Sequence, residues 1–182
     1  ILQVASSGCK PSIDVLKPSE FSQCDQSNYF AVKTIKEAKP DVVVIAQGFD
    51  HSSEKMVVIA QYLRKIGVKR VLYLGSTPHW NSALPLIFAR KLWIEKSKRI
   101  FTGLNLESVS TNERLIHELA DENSFEFVNV INLFCNSSGC LTYTGEDVVQ
   151  TLTTWDYGHL TISGSIYLAE HLLVPKIVRN FD

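Results

Sequence analysis

The stretch Asp41-Val-Val-Val-Ile-Ala-Gln47 decides the fold class of this chain. Its apolar side chains follow one another without polar alternation, which is typical of a strand whose two faces are both covered. Two further runs have the same character, Arg70-Val-Leu-Tyr-Leu-Gly-Ser76 and Phe125-Glu-Phe-Val-Asn-Val-Ile131. A shorter run, Ile1-Leu-Gln-Val-Ala5, opens the chain and predicts another strand. Strands of this kind occur in parallel sheets that have helices on both faces.

Apolar residues at helical spacing lie between the predicted strands and after the last of them. They predict helices over residues 28–39, 53–66, 111–123 and 161–178. Pro40 stops the first helix, Gly67 caps the second, and the segment 110–113 (Ser-Thr-Asn-Glu) is a capping pattern for the third. Strands that alternate with helices favour an α/β three-layer sandwich with a parallel sheet and right-handed crossovers.

The composition is typical of a globular domain. The chain has 182 residues, of which 45% are hydrophobic and 20% charged, and this length fits a single domain over residues 1–182. Its net charge of −1 gives no electrostatic footprint for nucleic acid or for an anionic membrane. No apolar run reaches the ~20 residues that cross a bilayer. Because the chain starts inside a predicted strand, we expect it to be a fragment.

An Asp–His pair lies at the mouth of the last predicted helix, in Trp155-Asp156-Tyr157-Gly158-His159-Leu160-Thr161. A carboxylate three residues before an imidazole can hold one ring nitrogen protonated and leave the other free to accept a proton from a nucleophile. The pattern therefore indicates Asp156 and His159 as catalytic residues. The alternative is that Asp156 only caps the turn and that His159 is an ordinary loop histidine.

The four cysteines form two local pairs along the sequence. Cys135 and Cys140 bracket a turn-rich loop, and Cys9 and Cys24 flank another loop. Zinc sites usually have closer cysteine pairs or adjacent histidines, so two disulfides, Cys9–Cys24 and Cys135–Cys140, fit the spacing better. Such disulfides imply an oxidising compartment, a periplasm or a cell exterior. Four free, partly buried thiols in a cytosolic protein are the alternative.

Ligands of open α/β sheets bind beyond the carboxyl ends of the strands. In this chain those ends are the segments 6–8 (Ser-Ser-Gly), 47–50 (Gln-Gly-Phe-Asp), 76–78 (Ser-Thr-Pro) and 132–133 (Asn-Leu). We expect the loop of Asp156 and His159 to reach the same rim, which makes a hydrolase-like site plausible there.

Four blocks of sequence resemble, in order and spacing, the SGNH (GDSL-type) hydrolase family. They are Ser6-Ser7-Gly8-Cys9-Lys10-Pro11; the strand at 41–46; Thr77-Pro78-His79-Trp80 with the later Leu84-Pro85 and Ala89-Arg90; and the cysteine pair followed by Asp156-x-x-His159-Leu160-Thr161-x-x-Gly164. In particular, they resemble the extracytoplasmic SGNH domains fused to acyltransferase-3 membrane proteins, which O-acetylate bacterial surface polysaccharides. The resemblance implies a flavodoxin-like parallel sheet.

The family's nucleophilic serine is absent from the matching pattern. It belongs to a Gly-Asp-Ser motif at the end of the first, central strand, and no Gly-Asp-Ser occurs in this sequence. The resemblance therefore implies that this strand and its serine lie upstream of Ile1 or on a separate piece. The rival is that Ser6 or Ser7 serves as nucleophile, although Ser-Ser-Gly after a strand is commonly turn chemistry.

The family also places an Asn at the exit of the third strand, where it donates to the oxyanion. This chain has Gln47-Gly48-Phe49 there. A backbone N–H at Gly48, the Gln47 amide or the Gly8 N–H can substitute, since one such donor contributes ~3 kcal/mol to lowering the barrier. Alternatively, Gln47 only caps a strand end.

The implied reaction is acyl transfer through a covalent ester on serine. His159 is the base, Asp156 orients it, and neither a metal nor an organic cofactor is needed. The acceptor is a sugar hydroxyl of a polysaccharide, and a membrane acyltransferase domain supplies the acetyl group to a monomeric, periplasmic domain tethered to the inner membrane. If water is the acceptor, the domain is a carbohydrate acetyl esterase.

Three further residues are candidates for lining the substrate site: His51, His79 and Trp80. His51 follows the third strand of the family pattern, and His79 can help to hold an acceptor sugar beside Trp80. The alternative for Trp80 is a packing role that anchors its loop. A non-catalytic SGNH-like module that binds a glycan or a partner protein is the alternative function. A flavodoxin-like or Rossmann nucleotide binder is disfavoured because no glycine-rich phosphate loop follows a strand.

Overall fold

A computed structural model describes residues 1–14 and 22–178, and the three long apolar runs form one parallel sheet in it. The strands are β1 Val42–Ala46, β2 Arg70–Leu74 and β6 Glu126–Val128, in the order β1-β2-β6. Val42 pairs with Arg70, and Leu72 pairs with Glu126. The prediction of a parallel sheet within an α/β fold is confirmed.

The other elements are numbered with these strands in chain order. The helices are α1 Gln23–Ala38, α2 Ser53–Lys65, α3 Leu84–Ile87, α4 Leu106–Glu118, α5 Ile131–Phe134, α6 Ile162–Leu168 and α7 Val174–Val178, with π-helical turns at Phe88–Leu92 and Ala169–Leu173. The short strands are β3 His79–Trp80, β4 Arg99–Ile100, β5 Leu104–Asn105, β7 Cys135–Asn136 and β8 Gly139–Leu141. β3 pairs with β5, and β4, β8 and β7 form a second antiparallel group.

The described residues form two compact units. One is drawn from Ile1–Leu74 and Leu115–Val128, and the other from Gly75–Arg114 and Asn129–Asp182. The prediction of a single domain over residues 1–182 stays a prediction.

The core of the first unit lies against the parallel sheet. Helix α2 begins at the N-cap Ser52, whose hydroxyl accepts a hydrogen bond from the Lys55 N–H. Its apolar face then buries four side chains: Met56, Ile59, Ala60 and Leu63. These pack with the strand residues Val71 and Tyr73 in one hydrophobic cluster. Burial of such side chains contributes about 1.5–3 kcal/mol each, so this face fixes the helix on the sheet.

The outer side of β1 carries no strand partner among the described residues, because β1 pairs only with β2. The Val44 side chain on this strand is 40% exposed. The prediction of a strand at residues 1–5 is wrong, since this segment has no strand assignment and Leu2 is 71% exposed. A strand requires a hydrogen-bonding neighbour, and apolar sequence alone does not supply one.

Helix α4 begins five residues earlier than predicted. Asn105 caps it, because its Oδ1 accepts a hydrogen bond from the Glu107 N–H at 2.9 Å. Asparagine is as good an N-cap as serine, so the later Ser110 and Thr111 lie inside the helix. The predicted capping pattern at residues 110–113 is therefore wrong.

Both predicted disulfides are present. Cys9 bonds Cys24, which lies in α1, and Cys135 bonds Cys140 across the β7–β8 hairpin. None of the described cysteines is free, so the alternative of four thiols is wrong. Closing the loop of sequence separation 15 between Cys9 and Cys24 restricts the unfolded chain and stabilises the fold by roughly 3 kcal/mol.

The second unit has its own core, in which Trp80, Leu84, Phe88 and Ile100 are buried together. Helix α6 approaches the segment before it at Gly164. Thr161 is the N-cap of α6, and its hydroxyl accepts a hydrogen bond from the Gly164 N–H. A Cβ at Gly164 would collide with the backbone carbonyl oxygen of Thr153. Only glycine permits this approach.

We predict that Gly164→Ala lowers the free energy of unfolding by about 2 kcal/mol or more, because the added methyl group must displace backbone atoms. Chemical denaturation followed by circular dichroism measures the change. Gly48→Ala is the matched control, since a Cβ there meets nothing within 4 Å. Equal losses in the two variants would contradict the packing argument.

Candidate active site

The Asp156–His159 pair forms as the sequence predicts. The His159 Nδ1–H donates to Asp156 Oδ2 at 2.7 Å. The His159 side chain is 63% exposed, whereas the Asp156 side chain is 20% exposed. An ionised carboxylate only accepts hydrogen bonds, so the ring carries its hydrogen on Nδ1 and keeps the lone pair on Nε2. The pair thus presents a base to the surface.

Asp156 also holds its own loop. Its Oδ1 accepts hydrogen bonds from the backbone N–H groups of Gly158 at 2.9 Å and His159 at 2.8 Å. Burial acts to raise the pKa of Asp156, but these two bonds and the bond from the imidazole outweigh it and hold the pKa below the usual carboxyl range. The hydrogen bonds to Asp156 therefore favour its charged form.

Three hydrogen bonds fix the backbone of this loop to the segment from Thr77 to Leu84. The Thr77 hydroxyl donates to the Gly158 carbonyl at 3.0 Å. The Trp80 and Leu84 N–H groups donate to the carbonyls of Tyr157 and Asp156 at 2.7 and 3.1 Å. Sequence reasoning missed these contacts, because a threonine hydroxyl and backbone N–H groups leave no signal in the residue pattern. These three bonds hold the loop backbone in addition to the bonds that the Asp156 carboxylate accepts.

His79 lies beside the loop in the same unit. A Cβ at Gly158 would collide with the His79 ring and would lie 2.8 Å from its Nε2. Burial lowers the pKa of His79, and the charge on protonated His159 lowers it further, against the opposing effects of Asp156 and Glu107. The lowered pKa favours the neutral form of the His79 ring, which lies beside the Asp156–His159 pair.

Trp80 is only 2% exposed and packs in the core of the second unit. Its indole Nε1–H is buried without a hydrogen-bond partner. This placement agrees with the packing alternative, in which Trp80 anchors the loop that binds residues 156–158.

Two aromatic side chains that sequence reasoning did not assign flank His159. The Trp155 ring stacks on the imidazole with centroids 5.6 Å apart, and the Tyr157 ring meets it edge-on at 5.7 Å. Both side chains are exposed, at 62% and 52%. Their positions on either side of Asp156 in the sequence were the available signal.

The remaining candidates lie in the first unit. Gly8 adopts a positive φ of 70° in a turn, and Gly48 is exposed after β1. The Gln47 amide nitrogen donates to the carbonyls of Phe49 and Asp50 at 2.9 and 3.2 Å. Gln47 Oε1 accepts a hydrogen bond from the Tyr73 hydroxyl at 3.1 Å. Both amide hydrogens of Gln47 are therefore engaged within its own turn.

The other first-unit residues after β1 are placed as follows. His51 is 6% exposed, so it is a buried residue near the strand end. Lys10 forms an ion pair with Asp50 at 2.5 Å, which lowers the pKa of that carboxyl through the hydrogen bond and the charge of Lys10.

Within residues 1–14 and 22–178, no group of three or more His, Cys, Asp or Glu side chains is placed to hold a metal ion.

Comparison with known families decides the relationship. The family model for the SGNH domain fused to AT3 domains matches residues 1–173. The chain belongs to this family. No curated protein matches it. Within the described part of this SGNH domain, no helix has the length and apolar character that a membrane span requires.

One solved structure supports the fold. The periplasmic domain of a lipopolysaccharide acetyltransferase from Salmonella ser. Paratyphi A is similar with a TM-score of 0.75 and 24% sequence identity. The similarity covers 86% of the SGNH domain described above and 64% of that chain. The predicted fold class is confirmed by this likeness and by the family match.

We predict that the neutral His159 ring in the wild-type domain is the Nδ1–H tautomer at about pH 8, above the usual pKa values of Asp and His. Asp156→Ala removes the acceptor, so the population should shift toward Nε2–H. Long-range ¹H–¹⁵N correlation spectra of the ring measure it. Asp147→Ala, which removes a carboxylate that caps a different turn, is the control. A wild-type Nε2–H ring would contradict the assigned geometry.

Proposed function

We propose that this SGNH domain transfers an acetyl group to a hydroxyl of a cell-surface polysaccharide through a Ser–His–Asp acyl-enzyme mechanism. The observation that carries the proposal is the 2.7 Å bond between His159 Nδ1 and Asp156 Oδ2, with the side chain of His159 63% exposed. Nucleophilic catalysis by serine requires an imidazole whose one ring nitrogen is held by a carboxylate and whose other ring nitrogen is accessible to the serine hydroxyl.

In the first half-reaction, His159 Nε2 removes the proton from the serine hydroxyl while the serine oxygen attacks the acetyl carbonyl carbon. The protonated ring is stabilised by Asp156 and then gives its proton to the departing group. The product is an acetyl ester on serine. The loop is already fixed by the bonds to Thr77, Trp80 and Leu84, so little reorganisation precedes this step.

In the second half-reaction, a sugar hydroxyl attacks the acetyl ester and His159 accepts its proton. The serine oxygen leaves and takes that proton back, which restores the free enzyme. If water attacks instead, the same steps give a carbohydrate acetyl esterase. Transfer therefore requires that a sugar hydroxyl reaches the ester faster than water does.

The nucleophilic serine is proposed to come from outside residues 1–182. Its strand would pair with the open side of β1, which pairs only with β2 among the described strands and leaves Val44 40% exposed. An open edge in a parallel sheet that is otherwise covered favours addition of a strand there. Ser6 and Ser7 are the rival nucleophiles.

The oxyanion donors are proposed to be the backbone N–H groups of Gly8 and Gly48. Gln47 is less suited as a side-chain donor, because its two amide hydrogens are bound to Phe49 and Asp50. Its proposed role is to hold the turn that carries Gly48. His51 remains a proposed lining residue of the substrate site.

The acetyl donor is proposed to be delivered by a membrane acyltransferase domain of the same protein, with the SGNH domain working outside the cytoplasm. The family description, an SGNH domain fused to AT3 domains, supports such a partner. The two disulfides support an oxidising compartment. We expect the domain to be monomeric, to be tethered to the inner membrane, and to need neither a metal nor an organic cofactor.

Replacing the base tests this mechanism. We predict that His159→Ala in the intact protein lowers acetyl transfer to the native acceptor and hydrolysis of p-nitrophenyl acetate by at least ~10³-fold, with circular dichroism unchanged. His171→Ala is the control, because His171 is also exposed in the second unit and contacts the Tyr167 ring and carbonyl rather than Asp156. Near-wild-type rates in His159→Ala would refute the role of His159.

The position of the nucleophile is tested by labelling. We predict that a serine-directed sulfonyl fluoride modifies one serine of the intact protein, and that peptide mass spectrometry places it outside residues 1–182. Label on Ser6 or Ser7 would establish the rival nucleophile. Absence of any labelled serine, together with absence of turnover, would favour the non-catalytic glycan- or partner-binding module.

A further inference from the structure

Four rings are connected by successive contacts at the loop of Asp156 and His159. Trp155 stacks on His159 with centroids 5.6 Å apart and planes at 26°, and His159 meets Tyr157 at 5.7 Å. Tyr157 then meets His79 edge-on at 5.9 Å. The imidazole that presents the free Nε2 is therefore in contact with two aromatic rings.

Packing does not explain why these two flanking rings are aromatic. Trp155 is 62% exposed and Tyr157 is 52% exposed, and neither belongs to the hydrophobic core of the unit. The loop backbone is held by hydrogen bonds from Thr77, Trp80 and Leu84, so the rings are not needed to keep its shape. Large exposed aromatic surfaces beside a reactive group are typical of ligand-binding sites.

The charges near the connected rings favour an uncharged ligand. Two carboxylates, those of Asp156 and Glu107, act on His79. Negative charges at this end of the connected rings disfavour phosphate or uronate groups. A neutral sugar ring has an apolar C–H face that lies flat on an aromatic ring, while its hydroxyl groups point outward from the edge of the sugar.

We propose that Trp155 and Tyr157 form a binding platform for an uncharged glycan beside His159. The role of this platform as the acceptor site depends on the proposed acetyl transfer, but binding itself does not require the serine. A sugar seated on Trp155 or Tyr157 directs a hydroxyl toward His159 Nε2. The covered rings also exclude water from that nitrogen, which favours transfer over hydrolysis.

The three tryptophans make the test specific, because each gives one indole N–H signal in a ¹H–¹⁵N spectrum. Trp80 is 2% exposed, Trp93 is 59% exposed and Trp155 is 62% exposed. The full chain is titrated with maltohexaose, cellohexaose and a (1→3)-β-glucan hexamer as uncharged probes, and with a galacturonic acid hexamer as the anionic probe. We expect at least one uncharged probe to shift the Trp155 signal and leave the Trp93 signal unchanged.

Variants then measure the contribution of each ring. Trp155→Ala and Tyr157→Ala should each weaken binding of that probe by about tenfold or more. Binding is measured from the chemical-shift changes of the backbone amides. Trp93→Ala, which removes an equally exposed indole of the same unit, should bind as the wild type does. Tyr157→Phe, which keeps the ring, should also bind as the wild type does.

The outcomes separate the platform from the catalytic proposal. If the Trp155 signal does not move with any uncharged probe, or moves only with the anionic one, the platform is refuted, whatever the rate of His159→Ala. If a probe binds through Trp155 but His159→Ala retains its activity in the intact protein, acetyl transfer through His159 is refuted and the platform stands as a glycan site. Binding that Trp93→Ala weakens as much as Trp155→Ala would also overturn the platform.

Discussion

The hydrogen bond between Asp156 Oδ2 and His159 Nδ1 is the interaction on which the site depends. A carboxylate that only accepts hydrogen bonds fixes the tautomer, and it stays charged because three donors hold its pKa below the usual carboxyl range. These bonds therefore stabilise the folded protein, and their full contribution to stability is present above the pKa of an unfolded aspartate, about 3.9. It is lost only as the pH falls through the lower folded value. Asp156 is therefore charged near neutral pH and can accept the hydrogen bond of His159 Nδ1–H.

Steric constraints in the folded structure explain the glycines of the segment 155–164, and these constraints are not visible in the sequence. Gly158 leaves room for the His79 ring, and Gly164 lets α6 begin against the carbonyl of Thr153. The Thr161 hydroxyl holds the start of α6, since it caps the helix and also donates to the Leu152 carbonyl. A larger residue at either glycine would move the loop or the helix, and thereby the imidazole that lies between them in sequence.

The sequence predicted the structure correctly where a local pattern of residues has a direct physical cause. The continuous apolarity of residues 42–46 and 70–74 indicated covered parallel strands, and the cysteine spacing indicated both disulfides. The Asp–His pair follows from a three-residue spacing. The prediction from sequence failed at residues 1–5, because strand formation depends on a hydrogen-bonding partner that composition does not reveal. It also missed the bonds of Thr77 and the rings of Trp155 and Tyr157, because contacts between distant segments and the exposure of a side chain are tertiary properties.

The exposure of His159 sets the balance between transfer and hydrolysis. A base that is 63% open to solvent can activate water as readily as a sugar hydroxyl, and water is present at a far higher concentration. A transferase must therefore place its acceptor against the base and displace that water. In the proposed mechanism, the aromatic rings beside the otherwise open imidazole achieve this only when a sugar covers them. The same Asp156–His159 pair would then hydrolyse esters with an empty platform and acetylate sugars with a filled one, so that the acceptor, and not a change in the residues of the pair, would decide the reaction.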